Sequence, residues 1–186
     1  DVASALMYLH SRRLVHKDVK PENIFVTRAG RGMLGDFGLA GQADGFLARL
    51  LRRFGRGTRV QGSFAYMAPE VIRRRPAGPK ADTFSLGVTL YETLTGRRPF
   101  RSAHEAIGGV GGAVLEGAAA MEVIRKIVRA IPEPPSRLRP GLPRDLDILA
   151  IQALAKDPAL RPEMTHVFMR LRDLLRKPGT RAAGPA

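Results

Sequence analysis

The spacing of apolar residues along the chain predicts a domain built mostly from helices. Apolar side chains recur every three or four residues in several stretches, which is the period of one helix face. Each stretch is long enough for several helical turns, except the one that starts at Pro69. The predicted helices cover 2–12, 69–74, 121–130, 143–156 and 165–176.

A further stretch, Ala81–Thr95, is apolar on nearly every side. A helix of this kind has no face suited to water, so we expect it at the centre of the domain. Gly96 follows directly, and glycine commonly ends helices in the left-handed conformation.

Three short stretches favour β structure, at 14–15, 24–26 and 33–34. The turn 27–32 contains two glycines and should join the last two stretches as a hairpin. Gly-rich loops are expected over 41–63 and 108–120, and a semi-rigid connector over 131–143, where five prolines fall. The expected fold class is α+β, mostly α-helical.

Composition limits the classes of protein that fit. The chain has 186 residues, no cysteine and a formal net charge of +14. This length suits a single domain. Without cysteine the chain can form neither disulfides nor thiolate metal sites, and an intracellular, cytoplasmic location is the simplest expectation. The longest weakly polar stretch, 106–115, is too short to cross a membrane.

The basic charge alone would suit a nucleic-acid-binding protein, but no reading motif accompanies it. Aromatic residues are 6% of the chain and tryptophan is absent, which disfavours binding through base stacking. We therefore expect no specific nucleic acid among the partners.

The strongest chemical signal is the string His-Lys-Asp-Val-Lys-Pro-Glu-Asn at 16–23. Asp-Phe-Gly follows at 36–38 and Ala-Pro-Glu at 68–70. Seven fixed letters at these spacings would arise by chance at about 10⁻⁹ per starting position, at roughly one in twenty per letter. The strings resemble the catalytic loop, metal-binding triplet and activation-segment end of Hanks-type serine/threonine protein kinases.

This resemblance spans residues 1–175 and implies the C-terminal lobe of a kinase, with a short β-hairpin near its start. The activation segment would cover 36–70, and 176–186 would form a flexible tail. ATP and Mg²⁺ are the implied cofactors.

The resemblance also implies roles for individual residues. Asp18 would accept the proton of the substrate hydroxyl, and Lys20 would face the transferred γ-phosphoryl group. Asn23 and Asp36 would hold Mg²⁺, a hard cation that prefers amide and carboxylate oxygens. Phe25 falls where the family has a residue under the adenine ring; ordinary strand core is an equally good interpretation of its position.

Other matching residues would support the site. His16 and Phe37 resemble the lower half of the apolar column that links the two kinase lobes. Asp82 would hold the catalytic-loop backbone, and Glu70 would pair with Arg161, whose guanidinium can bind a carboxylate through two bonds.

Substrate choice and regulation are implied less completely. Lys20 stands where serine/threonine kinases, rather than tyrosine kinases, carry lysine. Lys17 replaces the arginine that typically clamps a phosphorylated activation segment, and a lysine cannot form that fork. Thr58 and Ser63 are the candidate phosphorylation sites, and Ser63 also holds a position usually occupied by threonine.

In the family, a glycine-rich loop, an ATP-contacting lysine and a helix glutamate precede the catalytic loop. The segment before His16 has room for one helix only, so we expect the N-lobe to be absent. The expected partners are protein substrates and that missing N-lobe, and the chain alone should be inactive. The alternative is a non-catalytic truncated lobe that acts as a protein-interaction module.

Overall fold

The computed structural model describes residues 1–37, 62–108 and 117–176. Helices dominate these ranges, and two strands form a small sheet. The strands are β1 (Ile24–Val26) and β2 (Gly32–Leu34). The helices are α1 (Val2–Ser11), α2 (Pro69–Ile72), α3 (Pro79–Thr95), α4 (Ala103–Gly108), α5 (Gly117–Arg129), α6 (Pro135–Leu138), α7 (Arg144–Ala153) and α8 (Met164–Arg176). Short 3₁₀ turns lie at Pro21–Asn23, Gly62–Tyr66 and Pro158–Leu160.

Helix α3 is the centre of the domain, as its apolar sequence predicted. Phe84 and Val88 are fully buried against residues 64–68 and α5, whereas Leu86 packs with α1, α7 and α8. The helix ends at Gly96, which has a φ of +69° and donates its N–H to the Glu92 carbonyl at 2.7 Å.

Helices α3 and α7 cross closely at Gly87. A Cβ atom added there would lie 2.7 Å from the Cβ of Ala153, closer than two carbon atoms pack. The absence of a side chain at Gly87 therefore sets the distance between the two helices.

The predicted hairpin is confirmed. Strands β1 and β2 pair antiparallel, with Ile24 opposite Leu34, Phe25 opposite Met33 and Val26 opposite Gly32. The predicted β stretch at 14–15 is wrong. The Leu14 N–H donates to the Leu9 carbonyl at the end of α1, so it is not free to join a ladder.

Two predicted loop boundaries also change. Helix α5 begins at Gly117, inside the expected loop, whereas 109–116 lie outside the described residues. The proline-rich connector contains α6, because Pro135 suits a first helical turn and Asp147 accepts the Ser136 N–H at 2.8 Å. Most of the predicted loop 41–63 and the tail from 177 onward lie outside the described ranges.

Candidate active site

The 3₁₀ turn at Pro21–Asn23 brings three predicted catalytic residues together. Asp18 Oδ2 accepts a hydrogen bond from Asn23 Nδ2 at 2.9 Å and lies 2.7 Å from Lys20 Nζ. Asn23 Nδ2 also donates to the Asp18 carbonyl at 2.8 Å, and both residues are buried. The loop thus holds the Lys20 ammonium and the Asn23 amide within hydrogen-bond distance of the Asp18 carboxylate.

Asp82 holds the backbone of this loop, as its predicted supporting role requires. Its buried carboxylate accepts the N–H groups of His16 at 2.9 Å and Lys17 at 2.8 Å. The Lys17 backbone has a φ of +69°, an unfavourable conformation for a long side chain. These bonds hold that strained conformation in place.

His10 is a site residue that sequence reasoning missed. Its Nε2 atom lies 2.8 Å from Oδ2 of Asp82, so the carboxylate is held from α1 as well. The two residues are 72 positions apart. Only the folded chain brings them together, and no local sequence signal could have revealed the contact.

The hairpin returns Asp36 to the catalytic loop. Gly35 N–H donates to the Asn23 carbonyl at 2.8 Å, and the Gly35 carbonyl lies 3.0 Å from His16 Nε2. Asp36 itself is exposed and has a φ of +58°, which aspartate tolerates better than most residues. The Phe37 ring then packs edge-on against His16, with centroids 5.3 Å apart.

Phe25 and Met33 of the hairpin, together with Phe37 just after it, form an open apolar edge. Phe25 is 55% exposed, Met33 54% and Phe37 50%, so the interpretation of Phe25 as strand core is wrong. The Phe25 ring covers the backbone at Gly35, where an added Cβ would lie 2.6 Å from it. Any larger residue at position 35 would displace this ring.

The predicted Glu70–Arg161 pair is present and closed. Two nitrogens of Arg161 donate to the two oxygens of Glu70, each at 2.7 Å. The guanidinium also donates to the carbonyls of Lys80 and Ala155, both at 2.8 Å. Both residues are buried, so the pair joins α2 to the segment before α8.

Tyr66 gives the activation-segment end a second attachment that the sequence did not suggest. Its hydroxyl donates to Glu92 at 2.6 Å, and its carbonyl accepts from Ser85 Oγ at 2.8 Å. Burial, together with the Glu92 carboxylate, raises the pKa of Tyr66 far above its usual range. The hydroxyl therefore keeps its proton at any physiological pH.

Some of the predicted site residues are not among the described ones. Gly38 and Thr58 lie outside the described ranges, and so does the side chain of Ser63. Over the residues that are described, no three His, Asp or Glu side chains cluster closely enough to hold a metal by themselves. No helix in those ranges is long and apolar enough to cross a membrane.

The chain matches a known protein family and several characterised proteins. Residues 1–170 match the family model of the protein kinase domain. The serine/threonine-protein kinase PkaB of Streptomyces coelicolor is 34% identical over 183 residues, covering 94% of this chain and 38% of the relative. For the serine/threonine-protein kinase PknA of Mycobacterium tuberculosis the identity is 36% over 157 residues, covering 84% of this chain and 31% of the relative.

A third relative carries a different name. The tyrosine-protein kinase MasK of Myxococcus xanthus is 33% identical over 155 residues, covering 83% of this chain and 21% of that protein. The chain thus spans between about a fifth and two fifths of the length of these relatives. The family match extends over most of the chain and includes every motif described above, so the chain belongs to the Hanks-type serine/threonine protein kinase family.

Proposed function

We propose that this chain is the C-terminal lobe of a kinase that transfers the γ-phosphate of ATP to serine or threonine of protein substrates. One observation carries the proposal. The catalytic loop fixes Asp18, Lys20 and Asn23 together, and the hairpin returns the chain beside them just before Asp36. Phosphoryl transfer depends mainly on such positioning and on charge stabilisation.

The donor set suits ATP-bound Mg²⁺. Asn23 uses its amide nitrogen on Asp18, which leaves the amide oxygen as the atom able to meet a cation. Asp36 adds an exposed carboxylate. When bound, Mg²⁺ would neutralise charge on the nucleotide phosphates. Asn23 and Asp36 are the residues we propose to hold it.

Asp18 is the proposed catalytic base. Asn23 and Lys20 both contact its Oδ2 atom, which fixes the carboxylate in one orientation. A substrate hydroxyl that reaches this group would be aligned and would lose its proton to it. Lys20, already adjacent, would place its positive charge near the transferred phosphoryl group.

The choice of serine and threonine rests on Lys20 and on the relatives named as serine/threonine kinases. The MasK relative shows that overall identity alone does not decide it. Control by phosphorylation at Thr58 or Ser63 belongs to the same proposal, with Lys17 able to offer a charge but not a fork.

The open apolar edge supports a second lobe above this one. Phe25, Met33 and Phe37 leave about half of their surfaces exposed around the site. An N-lobe with the glycine-rich loop would cover them and exclude water from the nucleotide. We infer that the chain alone has negligible activity, and that the complete enzyme works in the ATP-rich cytoplasm.

A chimera with the N-lobe of the PknA relative joined before Asp1 tests the function. We expect it to transfer labelled phosphate to a serine-containing protein with Mg²⁺, and Asp18→Asn to slow this by roughly 10²–10⁴-fold. Asp173→Asn, a matched change on the surface of α8, should leave the rate unchanged. Full activity in Asp18→Asn would refute the catalytic assignment. Transfer by the chain alone, lost in Asp18→Asn, would refute only the need for an N-lobe.

A further inference from the structure

A pocket of about 600 Å³ lies away from the catalytic loop. Its walls come from the loop after α2, the first turn of α3 and the segment before α8, and none of its lining residues belongs to the catalytic loop or hairpin. Basic side chains and small or apolar residues line it together: Arg73, Arg75, Pro76, Gly78, Lys156 and Pro158.

The other charged residues of this pocket already have partners. The Glu70 carboxylate is fully occupied by Arg161. Lys80 Nζ lies 2.7 Å from Glu163. Asp157 accepts the Ala159 N–H at 2.9 Å, where it caps the 3₁₀ turn. Arg73 donates to the Val128 carbonyl at 3.4 Å, but within the described residues neither Arg73, Arg75 nor Lys156 has a carboxylate partner. The pocket therefore has an excess of positive charge.

Lys156 is the unusual member of this set. Its ammonium nitrogen is buried and has no hydrogen-bond partner within residues 1–37, 62–108 and 117–176. It lies 3.9 Å from the centroid of the Phe100 ring, which offsets part of the cost of burying a charge. A buried polar group without a partner commonly marks the place of a missing ion or water.

We propose that this pocket binds the phosphorylated side chain of a peptide segment, with Arg73 and Arg75 holding the phosphoryl oxygens and Lys156 adding charge from the wall. Arginine suits this task because its planar fork makes paired bonds to phosphate. The inference goes beyond the proposed catalytic function, because a peptide held here would dock at a second place on the lobe.

The size and apolar parts of the pocket favour a peptide over a free ion. Pockets of a few hundred Å³ or more accommodate molecules rather than single ions. Pro76 and Pro158 provide apolar surface for residues that flank the phosphorylated one. A peptide would thus use both the charge and the space.

Binding of a fluorescent phosphoserine peptide with alanine neighbours to the 186-residue chain tests the proposal. The double variant Arg73→Gln/Arg75→Gln should weaken binding by about tenfold or more, since each charge-assisted bond contributes substantially. Arg74→Gln is the matched control: Arg74 is exposed and lies between the other two, but it does not line the pocket. It should change the affinity less than about twofold.

Two further measurements exclude simpler explanations. The unphosphorylated peptide should bind at least about tenfold more weakly, and inorganic phosphate should compete poorly. NMR of the Lys156 side chain should show its pKa rising when the phosphopeptide binds, because a nearby anion favours the charged form.

Each opposing result would overturn the inference. An equal loss in Arg74→Gln would mean diffuse attraction to a basic surface. Equal binding of inorganic phosphate and phosphopeptide would mean a simple ion site, and tighter binding of an oligonucleotide than of the peptide would mean the wrong class of ligand. An unchanged Lys156 pKa at saturation would place the peptide elsewhere.

Discussion

Two ion pairs in this chain have the same contact distance but differ in how their carboxylate oxygens are used. Asp18 lies 2.7 Å from Lys20, and Glu70 lies 2.7 Å from Arg161. Both oxygens of Glu70 are used by one buried guanidinium, whose remaining nitrogen, Nε, donates to the Ala155 carbonyl. The Asp18 pair is nearly as buried, with side chains 9% and 14% exposed, but Asn23 and Lys20 both contact the same carboxylate oxygen, Oδ2.

We propose that the use of both carboxylate oxygens, rather than the contact distance, distinguishes a structural ion pair from a reactive one. Removing one partner of a buried, fully hydrogen-bonded ion pair is strongly destabilising, because the other charge is left buried without a counter-charge. A carboxylate whose two partners share one oxygen keeps lone pairs on the other oxygen for chemistry, and its loss should cost less stability. The same chemical change, carboxylate to amide, can be made in both pairs to test this.

Glu70→Gln should have the largest effect on stability. It removes one charge and leaves the buried Arg161 guanidinium without its carboxylate, which costs about 3–5 kcal/mol in comparable pairs. Urea denaturation should show a lower midpoint with an unchanged slope. If the free energy of unfolding falls by less than about 1 kcal/mol, the pair does not have the structural role that its geometry indicates.

Gly87→Ala tests how much the stability of the domain depends on the close crossing of α3 and α7. The added methyl would meet Ala153 at 2.7 Å, so the helices must separate. We expect a loss of about 1–3 kcal/mol, even though alanine favours helices more than glycine does. In the control Gly78→Ala the added methyl has no heavy atom within 4 Å, and the change should stay below about 1 kcal/mol.

The two regions also differ in how far the sequence predicted them. In the catalytic loop, Asp18, Lys20 and Asn23 lie within six residues, so local spacing was enough to predict that they meet. The Glu70–Arg161 contact joins positions 91 residues apart and was expected only through the family resemblance. The burial of helix α3 was predicted because 81–95 is apolar on nearly every side.

Other features depend on packing that no local pattern records. The exposure of Phe25 could not be decided from alternation, because a two-stranded sheet leaves one face uncovered. His10 lies in α1 without any unusual neighbour, yet it binds Asp82. Lys156 looks like an ordinary surface lysine, and only the fold places it over Phe100. Burial of polar groups is therefore what the sequence predicted least well.

Lys156→Met tests the cost of burying a cation that, unlike those of the two ion pairs, has no carboxylate partner within the described residues. Burial, together with the positive charges of Arg161 and Arg73, lowers the pKa of Lys156 from 10.5 to about 7. Below pH 7 the folded chain bears the full cost of the charge. Between pH 7 and 10.5 the unfolded chain binds more protons, so the wild-type free energy of unfolding should rise with pH.

The variant should therefore be more stable than wild type at pH 6.5, by an amount on the order of 1 kcal/mol. The difference should shrink by pH 9. Urea denaturation at several pH values measures it, and Arg74→Met, which changes an exposed arginine, should show no such trend. A difference that grows with pH would contradict the assigned direction.

Asp18→Asn should have the smallest effect on stability, which makes it the sharpest test of the comparison. Asparagine keeps the size of the side chain and one oxygen to accept from Asn23 Nδ2, so the loop can retain its bonds. We expect the free energy of unfolding to change by less than about 1 kcal/mol. In the chimera that carries an N-lobe, the same substitution should nearly abolish phosphate transfer. If Asp18→Asn instead destabilises the chain as much as Glu70→Gln does, the two pairs share one structural role, and the use of their carboxylate oxygens does not distinguish them.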